Sequence, residues 1–204
     1  MSDLPQVKEV LKKRAERGLK LPEILNGRIR VIDTDEIKGL FPHRGVFLLI
    51  DKVEVHGDRV VGFLEVIAER CPGFCHYSQD YLMFMGTLFA EMGIQTLGAA
   101  CSLMPELSRK SIFVSGGTGV ARFLTPVTAG QTIEMCILRK NIVVVKGIRK
   151  DHEKFDRYFL MARKLIATAG GSTVATIRSV AISSTPLSED ECLSRTEKKI
   201  RDRV

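Results

Sequence analysis

Between Asp80 and Glu106 the chain carries one formal charge, Glu91, in a stretch that otherwise reads YLMFMGTLFA and then MGIQTLGAACSLMP. An apolar run of this length must be enclosed in a core or lie in a bilayer. A central Glu, a Gln and several Gly are costly against lipid, and no flanking basic cluster or second span follows. The run therefore predicts a buried helix from about Asp80 to Met104, stopped by Pro105. A lone carboxylate there costs on the order of several kcal/mol to keep ionised unless the fold holds it, so Glu91 is either a structural acceptor or a working group. At about 3.6 residues per turn, Thr87, Glu91 and Gln95 share one line that Gly98 and Ser102 continue. A helix serving only as core has no need of such a polar and small stripe, which favours a working group.

The rest of the chain frames this helix. Residues 5–18 read as a short basic amphipathic helix ended by Gly18, with a further turn at LPEILN. Thr34 opens a helix over DEIKGL that Pro42 closes. VFLLIDKVEV and RVVGFLEVIAE are β-rich runs joined at HGD, a hairpin whose turn Gly57 supports. Beyond the apolar helix, SIFVSG, ARFLTPV, QTIEMCILRKN, VVVKGIRK, YFLMARKLIATA and STVATIRSVAISS all have strand character, and Gly170 with Gly171 makes a tight hairpin. Two strands, one long buried helix and then about five strands make an α+β order, in which an antiparallel sheet wraps the single apolar helix. The organisation expected is a helical N-terminal extension over residues 1–33, one domain over 34–186 and a charged tail over 187–204. The 204 residues, 45% apolar and 27% charged, suffice for one sizeable core.

Composition narrows the function classes. Residues 1–20 are charged without a continuous apolar core, so no secretory signal is expected and the cytosol is the expected compartment. The five cysteines are odd in number and scattered, which suits free thiols. A net charge of +7 permits an acidic partner: nucleic acid, an anionic membrane or an acidic carrier protein. Dispersed basic residues, 6% aromatic content and no reader motif argue against nucleic acid. GGTG at 116–119 lacks the ending of a phosphate loop and reads as a turn; no G-x-S-x-G or H-E-x-x-H occurs. Cys71, Cys75 and His76 have non-standard spacing and no second Cys/His pair, so no metal is expected, and no cofactor either.

Three blocks of the sequence resemble a known family. GLFPHRGVFLLIDKV is similar to the opening of the β-hydroxyacyl-acyl-carrier-protein dehydratases, where a Pro-His-Arg step leads into a strand. FCHYSQDYLMFMGTLFAEMGIQ resembles their active-site segment, a His-aromatic turn, a helix start at Gly-Thr-Leu, then an acid followed four positions later by Gln. SGGTGVARFLTPVTAGQTIEM resembles a third block, and the three, in the right order, span roughly residues 34–185.

The resemblance implies a hot-dog fold, an antiparallel sheet curled round one long central helix, as a homodimer or a trimer of dimers without a membrane span. It implies that His76 is the base removing the C2 proton of a 3-hydroxyacyl thioester, and that Glu91, from the other subunit, assists departure of the C3 hydroxyl as water. A backbone N–H near Gly86, at the positive end of the helix, would polarise the thioester carbonyl. Gln95 would either orient Glu91 or make a structural hydrogen bond. Phe84, Leu88, Phe89 and Phe113 would line an acyl tunnel or serve as core. The thioester would arrive on acyl carrier protein or CoA, the former matching the +7 charge and basic positions such as Arg122, Arg139 and Lys140. The sequence departs from the family at HYSQDYL, where the usual turn has Pro and Gly, and at Met85, which replaces a Pro. His43 matches a structural step, His56 sits in the hairpin and His152 in a charged loop. A thioesterase and an idle acyl-thioester binder are the alternatives.

Overall fold

The computed structural model describes residues 29–41, 43, 45–70, 82–104, 107, 111–147 and 157–186. The helices expected in the N-terminal extension, and the charged tail, lie outside the described residues. In chain order the described strands and α-helices are β1 (Arg30–Ile32), α1 (Thr34–Leu40), β2 (Lys52–Val55), β3 (Arg59–Glu65), α2 (Leu88–Cys101), β4 (Ser111–Thr118), β5 (Ala121–Phe123), β6 (Thr132–Leu138), β7 (Ile142–Gly147), β8 (Arg157–Ala169) and β9 (Ser172–Pro186).

All strand pairs are antiparallel, in the order β1-β2-β3-β6-β8-β9-β4. The two long strands each serve two neighbours on one side: β8 pairs with β7 up to Ala162 and with β6 from Leu165, and β9 pairs with β5 and then β4. At the hand-over in β8, between Ala162 and Leu165, Lys164 adopts left-handed backbone (φ 55). Gly170 and Gly171 (φ 55 and 79) make the two-residue hairpin that the sequence predicts, joining Ala169 to Ser172.

Three local expectations are corrected. Asp33, not Thr34, caps α1: its carboxylate accepts the N–H groups of Asp35 and Glu36, and Glu36 reaches back to the Asp33 N–H. The Thr34 hydroxyl is taken by the Asp51 carbonyl at 2.6 Å. Gly57 is not at positive φ, because residues 56–59 form a longer loop closed by His56 N–H to the Arg59 carbonyl, and such loops are built around ordinary turns. Residues 116–118 of GGTG are not a turn but continue β4, with Gly117 (φ 136) at a bulge against β9. β1 is a strand that the sequence analysis did not anticipate.

The central helix is shorter than expected. It runs for 14 residues, about 21 Å at 1.5 Å per residue. Residues 82–87 are extended or turn instead: Phe84 N–H donates to the Val127 carbonyl at 2.7 Å, and Met83 bridges Thr128. An apolar run does not by itself distinguish buried helix from buried extended chain, and these long-range backbone bonds decide it. At the other end, Ser102, Leu103 and Met104 close the helix with turn bonds to Gly98, Ala100 and Cys101 before Pro105. No helix among the described residues is long and apolar enough to cross a membrane.

Every residue from Met92 to Cys101 is buried, so α2 is enclosed all round, as its composition requires. It touches β2, β3, β4, β6, β8 and β9, which one flat sheet cannot offer to one helix; the sheet curls over it. The closest approach is at Gly62 of β3, where an added Cβ would lie 2.2 Å from Thr96 Oγ1. Gly62→Ala is expected to cost about 1–3 kcal/mol by overpacking. Thermal unfolding of Gly62→Ala, Thr96→Ala and the double variant tests it: the double variant should regain most of the loss, and a strictly additive result would refute the contact.

Candidate active site

Glu91 stands in the first turn of α2, the end at which the helix dipole favours negative charge. Its side chain is 31% exposed, so the carboxylate is reachable although the helix beneath it is closed off. One turn on, Gln95 is fully buried and uses its whole amide. Its Oε1 accepts the Leu49 N–H at 2.8 Å, while its Nε2 donates to the Phe47 carbonyl at 2.8 Å and to Glu91 Oε1 at 2.9 Å. The backbone N–H of Leu49 can only donate, so the network fixes which end of the amide faces which partner. Gln95 thus makes a structural hydrogen-bond pair with the backbone and a further bond to the Glu91 carboxylate.

His43 is the histidine that the structure places beside Glu91. Its Nε2 lies 3.6 Å from Glu91 Oε1. The signal was the Phe-Pro-His step: Phe41, before the proline, is extended (φ −113, ψ 146), which turns the chain off α1 and back toward α2. The Phe41 ring packs over Gly98, where a Cβ would come within 2.9 Å of it, and tilts against His43 at 6.2 Å between centroids.

The other expected site residues divide. Gly86, two residues before α2, lies under the Phe123 ring, 2.9 Å from where its Cβ would be. Beyond it the first helical turn bends its N–H groups inward, from Leu88, Phe89 and Ala90 to the carbonyls of Met85, Gly86 and Thr87. Phe84 is buried edge-on to Phe89 at 5.1 Å, and Phe89 stacks on the half-exposed Phe123 at 6.1 Å. Leu88 packs partly buried against the core. Phe113 is buried beside Phe41 and Gly98, and Gly98 is about 10 Å further along the helix than Glu91. Phe113 therefore packs on α2 beyond the carboxylate, within the core.

His76, with Cys71 and Cys75, lies outside the described residues. Of the stripe, Thr87 caps nothing with its hydroxyl, Ser102 donates to the Ala99 carbonyl, and Glu91 and Gln95 bond to each other. Arg139 is committed to the β2–β3 hairpin, its guanidinium 3.2 Å from the Gly57 carbonyl, while Arg122 and Lys140 are exposed. Cys101 and Cys136 are free; burial pushes the thiol of Cys101 far above the ordinary range and that of Cys136 upward.

Comparison with known proteins gives the site its context. No family model matches the chain. The chain is 32% identical over 120 residues to the 3-hydroxyacyl-[acyl-carrier-protein] dehydratase FabZ of Solibacter usitatus, covering 57% of this chain and 73% of that protein. It is 36% identical over 124 residues to the FabZ of Staphylococcus carnosus, covering 59% of this chain and 84% of its relative. The chain belongs to the FabZ family. Membership bears out the resemblance of the three sequence blocks and accounts for the antiparallel sheet curled over one helix, the hot-dog arrangement. Among solved structures, the chain is similar to the dehydratase heterocomplex ApeI:P from Xenorhabdus doucetiae, with 14% identity, 78% of this chain and 96% of that chain covered, and a TM-score of 0.47.

In this FabZ-family chain Gln95 ties the backbone before β2 to Glu91. Gln95→Leu leaves the Leu49 N–H and the Phe47 carbonyl without their partner, an expected loss of about 2–5 kcal/mol from unmade hydrogen bonds. Urea unfolding measures it, and a loss below about 1 kcal/mol would show that the amide is dispensable to the fold.

Proposed function

We propose that this protein dehydrates a 3-hydroxyacyl thioester to the trans-2-enoyl thioester, the elimination step of fatty acid biosynthesis. The observation that carries the reading is Glu91: in a chain of the FabZ family, a reachable carboxylate sits at the positive end of the enclosed helix with one oxygen held by Gln95. Elimination breaks the C2–H bond and the C3–O bond and forms the C2=C3 bond. Hydroxide leaves poorly, so a proton must reach the C3 oxygen as that bond breaks, and Glu91 is the group to supply it. The C2 proton needs a base of near-neutral range, the part we give to His76 on the strength of the family resemblance. The negative charge that develops on the thioester oxygen is met by a backbone N–H at Gly86, aided by the helix dipole.

The acyl group is carried by acyl carrier protein or CoA; an acidic carrier suits the net charge of +7. The assembly is a homodimer or a trimer of dimers in the cytosol, with His76 of one protomer facing Glu91 of its partner. Phe84 and Leu88 border the acyl chain as part of the core wall.

Purified protein given a short 3-hydroxyacyl thioester, on each carrier, should form enoyl product detectable by mass spectrometry. Glu91→Gln keeps an acceptor for Gln95 and is expected to leave thermal stability unchanged while lowering kcat by about 10²–10⁴-fold, and His76→Ala should lower it comparably. Undiminished turnover in both variants would sink the mechanism. Free thiol without enoyl product would make the protein a thioesterase. Tight binding without conversion would make it an acyl-thioester binder, the reading that the altered HYSQDYL turn favours.

A further inference from the structure

We propose that His43 is a positioning residue for Glu91: together with Gln95 it occupies one carboxyl oxygen, Oε1, and thereby leaves Oε2 as the oxygen that delivers the proton. The inference rests on the dehydratase reading and deepens it.

Two nitrogen atoms converge on Oε1, Gln95 Nε2 at 2.9 Å and His43 Nε2 at 3.6 Å. The Gln95 bond is immobile, because the rest of that amide is spent on the backbone of Phe47 and Leu49. His43 approaches the same oxygen within ion-pair range but beyond a direct hydrogen bond, so a small ring movement or one water completes the contact. An oxygen that accepts from Gln95 and lies against a second nitrogen is the poorer site for the carboxyl proton, which is then carried on Oε2. Gln95 alone leaves the carboxyl free to swing about its single held oxygen. A second contact on that oxygen restricts this freedom.

The backbone explains why His43 is well placed for this. The segment on which it sits returns to α2 twice, through Phe41 over Gly98 and through the Phe47 carbonyl on Gln95. His43 lies between these two anchors, and its ring leans on Phe41. A histidine on a segment tied at both ends to the helix that bears Glu91 is held in register with the carboxylate. The family resemblance reads this residue only as a structural step, and a structural step has no reason to face the acid.

The test uses His43→Leu, which keeps packing on Phe41 without a donor, and His43→Gln, which keeps an N–H near the place of Nε2. His43→Asn, polar but too short to reach Oε1, is the second loss variant should the leucine protein not fold. Enoyl formation is followed under saturating and limiting substrate in the wild-type and Glu91→Gln backgrounds. His43→Leu and His43→Asn are expected to lower kcat about 10–100-fold with KM within about twofold, the scale of a misplaced catalytic group. His43→Gln should restore most of the rate. In the Glu91→Gln background His43→Leu should have no further effect, because it acts through that carboxyl. Wild-type kcat in the leucine and asparagine variants, or the same loss in both backgrounds, would overturn the positioning role while leaving the dehydratase reading intact. No enoyl product from the wild-type protein would overturn both.

Discussion

A single uncharged side chain ties this molecule together. Gln95 is wholly buried in α2, and its amide binds the backbone of the segment that precedes β2 as well as the one carboxylate on the helix. A buried amide must have every donor and acceptor satisfied, and here the partners come from parts of the chain nearly fifty residues apart. The helix and that segment are therefore held in one relative position, and Glu91 is held with them. The same bond that stabilises the core sets the geometry of the site.

Around this point the sheet does what an apolar helix requires of it. A cylinder without a polar face must be covered on all sides, and one curled antiparallel sheet achieves this only if strands and helix come close. Small residues allow it: Gly62 lets β3 lie against Thr96, and Gly98 leaves room for the Phe41 ring. Glu91 falls in the first turn, where that cover ends and the helix meets the aromatic group of Phe84, Phe89 and Phe123. An acid reachable from outside yet fixed from within is the consequence, and the general acid role proposed for Glu91 calls for both properties.

Much of this was legible before the structure. The order of strands and helix followed from β-branched runs, turn residues and one uninterrupted apolar stretch, and the pairing of Glu91 with Gln95 followed from helical spacing alone. His43 was not, because its contact with Glu91 depends on the path of a non-helical segment after Phe41, which no periodicity encodes. Where β4 and its Phe113 cross α2 is likewise a matter of register, which a strand pattern by itself does not give.

By itself, then, the sequence determined the kinds of element, the Gly170–Gly171 hairpin and the side of the helix on which the acid and its amide lie, since these depend on residues a few positions apart. Only the tertiary structure decided that residues 82–87 leave the helix to bond with residues 127–129, that Asp33 takes the cap from Thr34, and that His43 arrives beside Glu91. The first two outcomes are competitions between local preference and distant hydrogen-bond partners. The distant partner wins wherever it satisfies a buried polar group that local structure would leave unpaired.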